Sequence, residues 1–231
     1  MLRRSVLYLY RDDTGEPERA RLLRGLAFLG MEIPSVRAGD YGNDIRGGSR
    51  RLLEVPPWTR PPRFRSRGQG PPSNFDVAVH VDFDDEGGLA AFEADQSQQE
   101  VARLADSVTV ADLTARVDWH YEGPVPNRRG HVRHCAMHVW RDDAPRAARL
   151  DVLEAARGLA TTPEVEAVEV GKSTRARPAD YDWVLDVRFA DAAAATSVLD
   201  GGAFGELQQL IASATKDEWT ARVTHVMRGE P

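Results

Sequence analysis

Residues 114–117 read Thr-Ala-Arg-Val, and the same four residues return at positions 220–223. With this offset of 106 held constant, residues 74–123 align to residues 180–229 without a gap, and 13 of the 50 aligned positions are identical. Repetition at one fixed spacing indicates that a single structural unit is built twice. The sequence therefore predicts two tandem copies of one fold.

The order of elements within each copy predicts the fold class. In residues 181–189 apolar residues occupy every second position, which is the period of a strand with two different faces. Around it, each copy shows the order strand, helix, strand, strand, helix, strand, the ferredoxin-like α+β arrangement. Helices would cover one face of each sheet, and the bare second faces would associate. We predict tandem ferredoxin-like βαββαβ repeats that form an intramolecular dimeric α/β barrel, as a monomeric pseudo-dimer or a homodimer.

The repeat boundaries follow from this alignment. We assign the first repeat to residues 1–121, a linker rich in Gly and Pro to 122–131, and the second repeat to 132–231.

The copies differ most at an insertion in the first repeat, residues 43–73. It contains seven arginines and six prolines and has no regular period. Segments of this length without regular structure are functional or disordered. One hypothesis is a solvated loop. The other is a lid or an anion-binding arm, in which Trp58 and Phe64 pack while arginines meet a carboxylate or a phosphate.

Composition limits the class of protein. The chain has 231 residues, 42% of them hydrophobic and 29% charged, and no apolar run of the length that a membrane helix needs. The net charge of −6 argues against nonspecific binding to nucleic acid or to anionic membranes. Cys135 is the single cysteine, so no internal disulfide can form. Arginine far outnumbers lysine, as is typical of GC-rich bacterial genomes. We expect a cytoplasmic bacterial protein.

A family resemblance extends over both repeats and is stronger in the second. It is carried by Val132-Arg133-His134-Cys135-Ala136-Met137, Pro163, Gly171-Lys172, the alternating residues 181–189 and the terminal residues 219–227. These resemble the stress-responsive dimeric α/β-barrel (Dabb) family, which includes polyketide cyclases of the olivetolic acid cyclase type. The resemblance implies a ferredoxin-like fold that pairs into a barrel.

The resemblance also implies a role for His134. In the cyclases, a histidine of the first strand lines a cavity between the sheet and the helices, and His134 matches that position. The second cyclase histidine lies in a His-Pro-x-His pattern, but residues 199–204 contain no histidine. The first repeat has Arg4 at the first-strand position.

Strand periodicity extends this candidate site. Alternation places His134 and His138 on one face of the strand, roughly 13 Å apart, which is too far to share one proton or one metal ion. A histidine that is neutral near pH 7 can accept or donate a proton. We predict His134, His138 and Arg222 as catalytic or orienting residues. Three tryptophans are predicted to form apolar substrate-binding walls: Trp140, Trp183 and Trp219.

Two further polar residues align across the repeats. His80 and Asp186 are predicted to face the barrel interior and to pair with each other near the pseudo-twofold axis. The sequence shows no metal-ligand spacing, phosphate loop or nucleophile elbow. We therefore expect no metal site and no cofactor.

These observations give three hypotheses about function. The first is a cofactor-free cyclase or isomerase, of the lyase or isomerase class, acting on a polyketide-like or aromatic intermediate by histidine acid/base catalysis. The second is a non-catalytic small-molecule-binding or stress-response protein of the Dabb type. The third is a haem- or oxygen-using enzyme with a ferredoxin-like barrel. In each case the expected partner is a small molecule.

Overall fold

The computed structural model describes residues 1–47, 74–122, 128–174 and 181–229. Within them, each half of the chain has four strands and three α-helices. The first half contains β1 (Leu2–Tyr8), α1 (Glu16–Glu32), β2 (Ala38–Asn43), β3 (Val77–Phe83), α2 (Glu86–Ala94), α3 (Gln96–Val108) and β4 (Ala115–His120). The second half contains β5 (Val132–His138), α4 (Arg146–Gly158), β6 (Val165–Lys172), β7 (Trp183–Phe189), α5 (Ala192–Leu199), α6 (Gly202–Ala214) and β8 (Ala221–Val226).

The two halves repeat each other at the offset seen in the sequence. The pairs β3 and β7, α3 and α6, and β4 and β8 each begin 106 residues apart. Even the helix caps are equivalent, because the Asp85 carboxylate accepts the backbone N–H of Gly88 at 2.9 Å and Asp191 accepts that of Ala194 at 2.8 Å. Such N-caps satisfy backbone donors that the first helical turn leaves free. They fix where α2 and α5 begin.

Each half forms one antiparallel sheet, in the order β2-β3-β1-β4 and β6-β7-β5-β8. This is the ferredoxin-like α+β arrangement, and the predicted fold class is confirmed. One face of each sheet packs against its own helices through a separate apolar core. A third core lies between the two sheets and draws on both halves, including Leu7, Trp119, Met137 and Trp219. The sheets therefore face each other inside one molecule.

Backbone bridges close both seams between the sheets. At one seam the Thr174 amide donates to the Asp118 carbonyl at 2.9 Å, beside a bridge between Trp119 and Ser173. At the other seam the Ile45 amide donates to the Thr224 carbonyl at 2.7 Å. Both pairs of sheet edges therefore meet, and the eight strands form a barrel within one chain.

A glycine stands at each seam because the opposite strand comes too close for a side chain. A Cβ atom at Gly171 would lie 1.9 Å from the Trp119 ring, and one at Gly42 would lie 2.7 Å from the Val226 carbonyl oxygen. The Cβ atoms of folded proteins do not approach other heavy atoms this closely. Both seams therefore require glycine.

One end of the barrel interior holds a buried network of charges. Arg3 donates from Nε to Asp82 at 2.6 Å and from Nη1 to Glu169 of the opposite sheet. Arg133, which occupies the same position in β5, donates to Asp186 at 3.2 Å and to Asp40 of the opposite sheet at 3.0 Å. Arg3 also donates to Asp186 of the opposite sheet at 3.3 Å, so each arginine binds carboxylates of both sheets.

The polar pair predicted at the axis forms differently. His80 and Asp186 both face the interior, but Asp186 is bound by Arg133 and Arg3 rather than by His80. The His80 ring instead stacks on His225, with centroids 5.5 Å apart, and its Nδ1 lies 2.9 Å from the Ser5 hydroxyl. The prediction of a His80–Asp186 pair was wrong, because two arginines compete more strongly for the carboxylate than a neutral imidazole does.

Of the insertion predicted at residues 43–73, the structure describes only the first residues, up to Gly47. The next described residue, Asn74, directly follows the insertion. Trp58 and Phe64 lie outside the described residues, so their predicted packing stays a prediction. In the described part of the chain, no helix is both long and apolar enough to cross a membrane.

Candidate functional site

Both predicted histidines lie on the helix-facing side of β5, the central strand between β7 and β8. Alternation along β5 turns Arg133, Cys135 and Met137 toward the barrel interior and His134 and His138 toward the helices. Only about 5% of His134 and 4% of His138 remains exposed to solvent. The pleat of one strand therefore presents two imidazoles to the layer under α6.

The two rings open on adjoining cavities. The larger cavity, about 310 Å³, reaches His134, and the smaller one, about 210 Å³, reaches both histidines. The two cavities share His134, Phe204, Gln208 and Arg222 as lining residues. They adjoin each other between β5, β8 and α6, and the larger one is of the size that suits a small organic molecule.

Hydroxyl groups of the β8 side hold both imidazoles. Nδ1 of His134 lies 2.8 Å from Oγ1 of Thr224, and Nδ1 of His138 lies 3.2 Å from Oγ1 of Thr220. Among the described residues, Nε2 of His138 is buried and has no hydrogen-bond partner. For His134, the hydrogen bond found there is the one at Nδ1. Both rings are thus fixed through Nδ1, and Nε2 of His134 is the nitrogen left for a ligand.

Burial keeps both histidines neutral. Loss of water, together with the nearby guanidinium groups of Arg222 and Arg46, lowers the pKa of His134 to about 3. Burial likewise lowers the pKa of His138 to about 3, with smaller contributions from His134 and Arg222. At neutral pH both rings are therefore proton acceptors without charge.

The first repeat completes the site of the second. Nε of Arg222 donates to Oδ1 of Asn74 at 2.9 Å, and the Asp44 carboxylate accepts the Thr224 amide at 2.9 Å. Arg46 forms an ion pair with Asp200 at the rim of the larger cavity. Three residues at the two ends of the insertion thus line a cavity whose histidines belong to the other repeat.

The structure brings only part of the predicted set to the cavity. Trp183 lies behind the site, because His138 stacks on it with centroids 4.3 Å apart and Trp140 stacks on its other side at 5.2 Å. Trp219 lies in the core between the sheets. None of the three tryptophans is among the residues that line the two cavities. The walls come instead from α6 and β7.

Residues that the sequence did not single out form those walls. Phe204, Gln208 and Ile211 line the cavities and recur at helical spacing on one face of α6, a signal present in the sequence. Phe204 meets the His134 ring edge to face, with centroids 5.8 Å apart. Asn74 and Asp44 could not be found in this way, because their role depends on the contact between repeats.

Within the described residues, no group of three or more His, Cys, Asp or Glu side chains is arranged to hold a metal ion. The polar groups that line the two cavities are the two imidazoles, two guanidinium groups, two amides, threonine hydroxyls and three carboxylates, those of Asp44, Asp200 and Asp217. This set can accept a proton from a bound molecule and stabilise the negative charge that remains.

No protein-family model and no curated protein sequence matches the chain. Solved structures share its fold over nearly its whole length. An anthrone oxidase-like protein superposes with a TM-score of 0.66 at 9% identity, covering 99% of this chain and 92% of that one. A proposed monooxygenase from Fusobacterium nucleatum gives 0.60 at 10% identity, covering 99% and 93%. A proposed chlorite dismutase gives 0.52 at 11% identity, covering 98% and 94%. At such low identity this similarity shows the fold alone.

Proposed function

We propose that this protein is a cofactor-free enzyme that oxidises an aromatic, polyketide-like small molecule with dioxygen. The observation that carries the proposal is the pair of buried imidazoles, His134 and His138, that line one cavity together with Arg222. The names of the fold neighbours, an anthrone oxidase-like protein and a proposed monooxygenase, support dioxygen as the second substrate. The resemblance to the Dabb cyclases supports the same class of aromatic substrate.

The chemistry begins with a proton. A CH₂ group held between two aromatic rings that are conjugated with a carbonyl, as in anthrone, is acidic, and in this proposal Nε2 of His134 accepts its proton. The resulting anion delocalises onto the carbonyl oxygen, which Arg222 can bind through charge-assisted hydrogen bonds. The low pKa of His134 in the empty cavity is not an obstacle, because the new imidazolium forms beside a new anion that stabilises it.

Dioxygen then accepts electrons from this anion. A C–O bond forms, the peroxide takes a proton back from the imidazolium, and loss of water leaves a carbonyl at the former CH₂ carbon. The balance is one CH₂ and one O₂ converted to one C=O and one H₂O. The protein supplies a base, an anion site and a dry cavity, and no metal is needed for electron balance.

A cyclase or isomerase reaction would use the same first proton transfer without dioxygen. Haem fits the residues less well. The ring of His138 is held face to face with Trp183, and its Nε2 is buried. A macrocycle bound to Nε2 of His138 would have to displace α6 residues such as Ile211.

The test uses anthrone as substrate and an oxygen electrode. We expect one O₂ consumed for each anthrone converted, no turnover without oxygen, and loss of most activity in His134→Gln. The control is His120→Gln. His120 is solvent-exposed at the end of β4, in the first sheet, and the variant should keep full activity. Turnover of a polyketide-like substrate that is equal in air and under argon would favour the cyclase. A Soret band in freshly purified protein would favour haem.

A further inference from the structure

The first repeat contains a cavity of its own, at the place equivalent to the histidine site. It measures about 350 Å³ and lies between β1, β3 and the helices α1 and α3. The alignment of the repeats pairs Arg4 with His134, Tyr8 with His138 and Arg116 with Arg222. The arginine of β4 is thus kept, while both imidazoles are replaced.

The cavity is apolar in its middle. Its walls include Val6, Leu26, Leu29, Val79 and Phe92, all of them buried. Where the second repeat has Gln208 on α6, the first has Ala102 on α3, a smaller residue that leaves more space. An apolar body of two fused rings would lose its contact with water here.

The polar groups lie at different points along β1, with Arg4 at one end, Tyr8 at the other and Arg116 of β4 opposite Val6 between them. At one end Arg4 is neutralised, because it binds Asp118 at 2.7 Å and Glu93 at 2.7 Å. Two carboxylates around one guanidinium make this end unfavourable for an anion. Glu93 itself lines the cavity.

The part of the cavity from Arg116 to Tyr8 is open to an anion. Arg116 is exposed and lines the cavity, and the described residues give its guanidinium no ion-pair partner. Tyr8 is 8% exposed, and its hydroxyl has no hydrogen-bond partner in the described part of the chain. Burial raises the pKa of Tyr8, so the hydroxyl stays protonated and can donate. The charge of Asp106 also raises the pKa of Tyr8, but Asp106 does not line the cavity.

We infer that the first repeat is a second small-molecule site, which binds an aromatic carboxylate and does not transform it. The carboxylate is bound by Arg116 and the Tyr8 hydroxyl, and the rings lie among the apolar walls. Neither arginine can act as a base at working pH, and Tyr8 is a proton donor only. The inference does not depend on the oxidase reaction of the second repeat.

Calorimetric titration with 2-naphthoate tests this site. The titrations use full-length protein carrying Arg222→Gln, which weakens the equivalent anion site of the second repeat. We expect one 2-naphthoate to bind, and Arg116→Gln to weaken it about 10-fold or more, as for the loss of a hydrogen bond between charged groups. The neutral analogue 2-naphthalenemethanol should bind Arg116→Gln and its parent equally well.

A second variant leaves the charges intact. Ala102→Leu places extra carbon atoms in the cavity and should abolish 2-naphthoate binding. In otherwise unaltered protein, Arg116→Gln and Ala102→Leu should both keep the circular dichroism spectrum and the cooperative thermal unfolding of the parent, which shows that they fold. Affinity for 2-naphthoate that is unaltered in both folded variants would overturn the inference.

Discussion

Arg3 and Arg133 hold the same position in the two repeats, and each reaches across the barrel to a carboxylate of the other sheet. Arg3 binds Glu169 of β6, and Arg133 binds Asp40 of β2. Both guanidinium groups are fully buried. Burial alone would raise the pKa of Asp40, but His225 and Arg133 hold it well below its usual range. The two halves are thereby tied together by a reciprocal exchange of charges.

Removing one of these arginines should be costly. In Arg3→Met, Asp82 would stay buried without its cation and Glu169 would keep only Arg188, and breaking such a buried pair typically costs about 3–5 kcal/mol of unfolding free energy. Urea denaturation measures this loss. The control is Arg37→Met, which breaks the solvent-exposed ion pair with Asp84 and should leave the unfolding midpoint unchanged. Equal stability of the two variants would show that the network does not hold the sheets together.

The histidine pair should make stability fall in acid. In the unfolded chain a histidine titrates near 6.5, whereas the pKa of His134 and His138 in the native protein is about 3. Below pH 6.5 the unfolded state therefore takes up protons that the native state refuses, and stability falls until about pH 3. At pH 5 the loss is about 2 kcal/mol for each histidine. Urea denaturation between pH 7 and 5 should show this slope, and a slope unchanged in His134→Gln would contradict it.

The two histidines should differ in their kinetic roles. We expect His134→Ala to lower kcat by about 10²–10⁴-fold, as for the loss of an acid/base group, while the fold is retained. His138→Ala should raise KM more than it lowers kcat, because His138 lies at the far end of the smaller cavity. Steady-state kinetics measures both variants. The matched control is Arg4→Gln, because Arg4 occupies the position of His134 in the first repeat. Full activity in His134→Ala would leave a binding protein as the better interpretation.

The seam glycine gives a prediction about packing. In Gly171→Ala the new methyl group would collide with the Trp119 ring, which is fully buried and donates its Nε1–H to Ser5 at 3.0 Å. Overpacking of this kind costs about 1–3 kcal/mol. Thermal unfolding followed by the fluorescence of tryptophan should show a lower midpoint. Gly205→Ala on α6, where a Cβ meets nothing within 4 Å, is the matched control and should be neutral or stabilising.

The fold could be predicted from the sequence because the same pattern of elements occurs in it twice. The constant offset fixed the equivalence of β3 with β7 and of α3 with α6, and alternation fixed which face of β5 carries the histidines. The contribution of Asn74 and Asp44 could not be predicted, since it arises only where the insertion ends meet β8. The direction of Trp219 could not be predicted either. Its 3₁₀ turn directs it into the core between the sheets, and no local period reveals that direction.

The closed barrel has a consequence for how the two cavities can change. In a barrel made from two identical chains, every substitution appears in both cavities at once, so a residue that improves one ligand site alters its twin. Here Arg4 and His134 stand in one polypeptide and are encoded separately. Each cavity can therefore acquire its own specificity while the other keeps its chemistry. The second half still depends on the first, because Asp44 and Asn74 serve a site whose histidines lie in the second half.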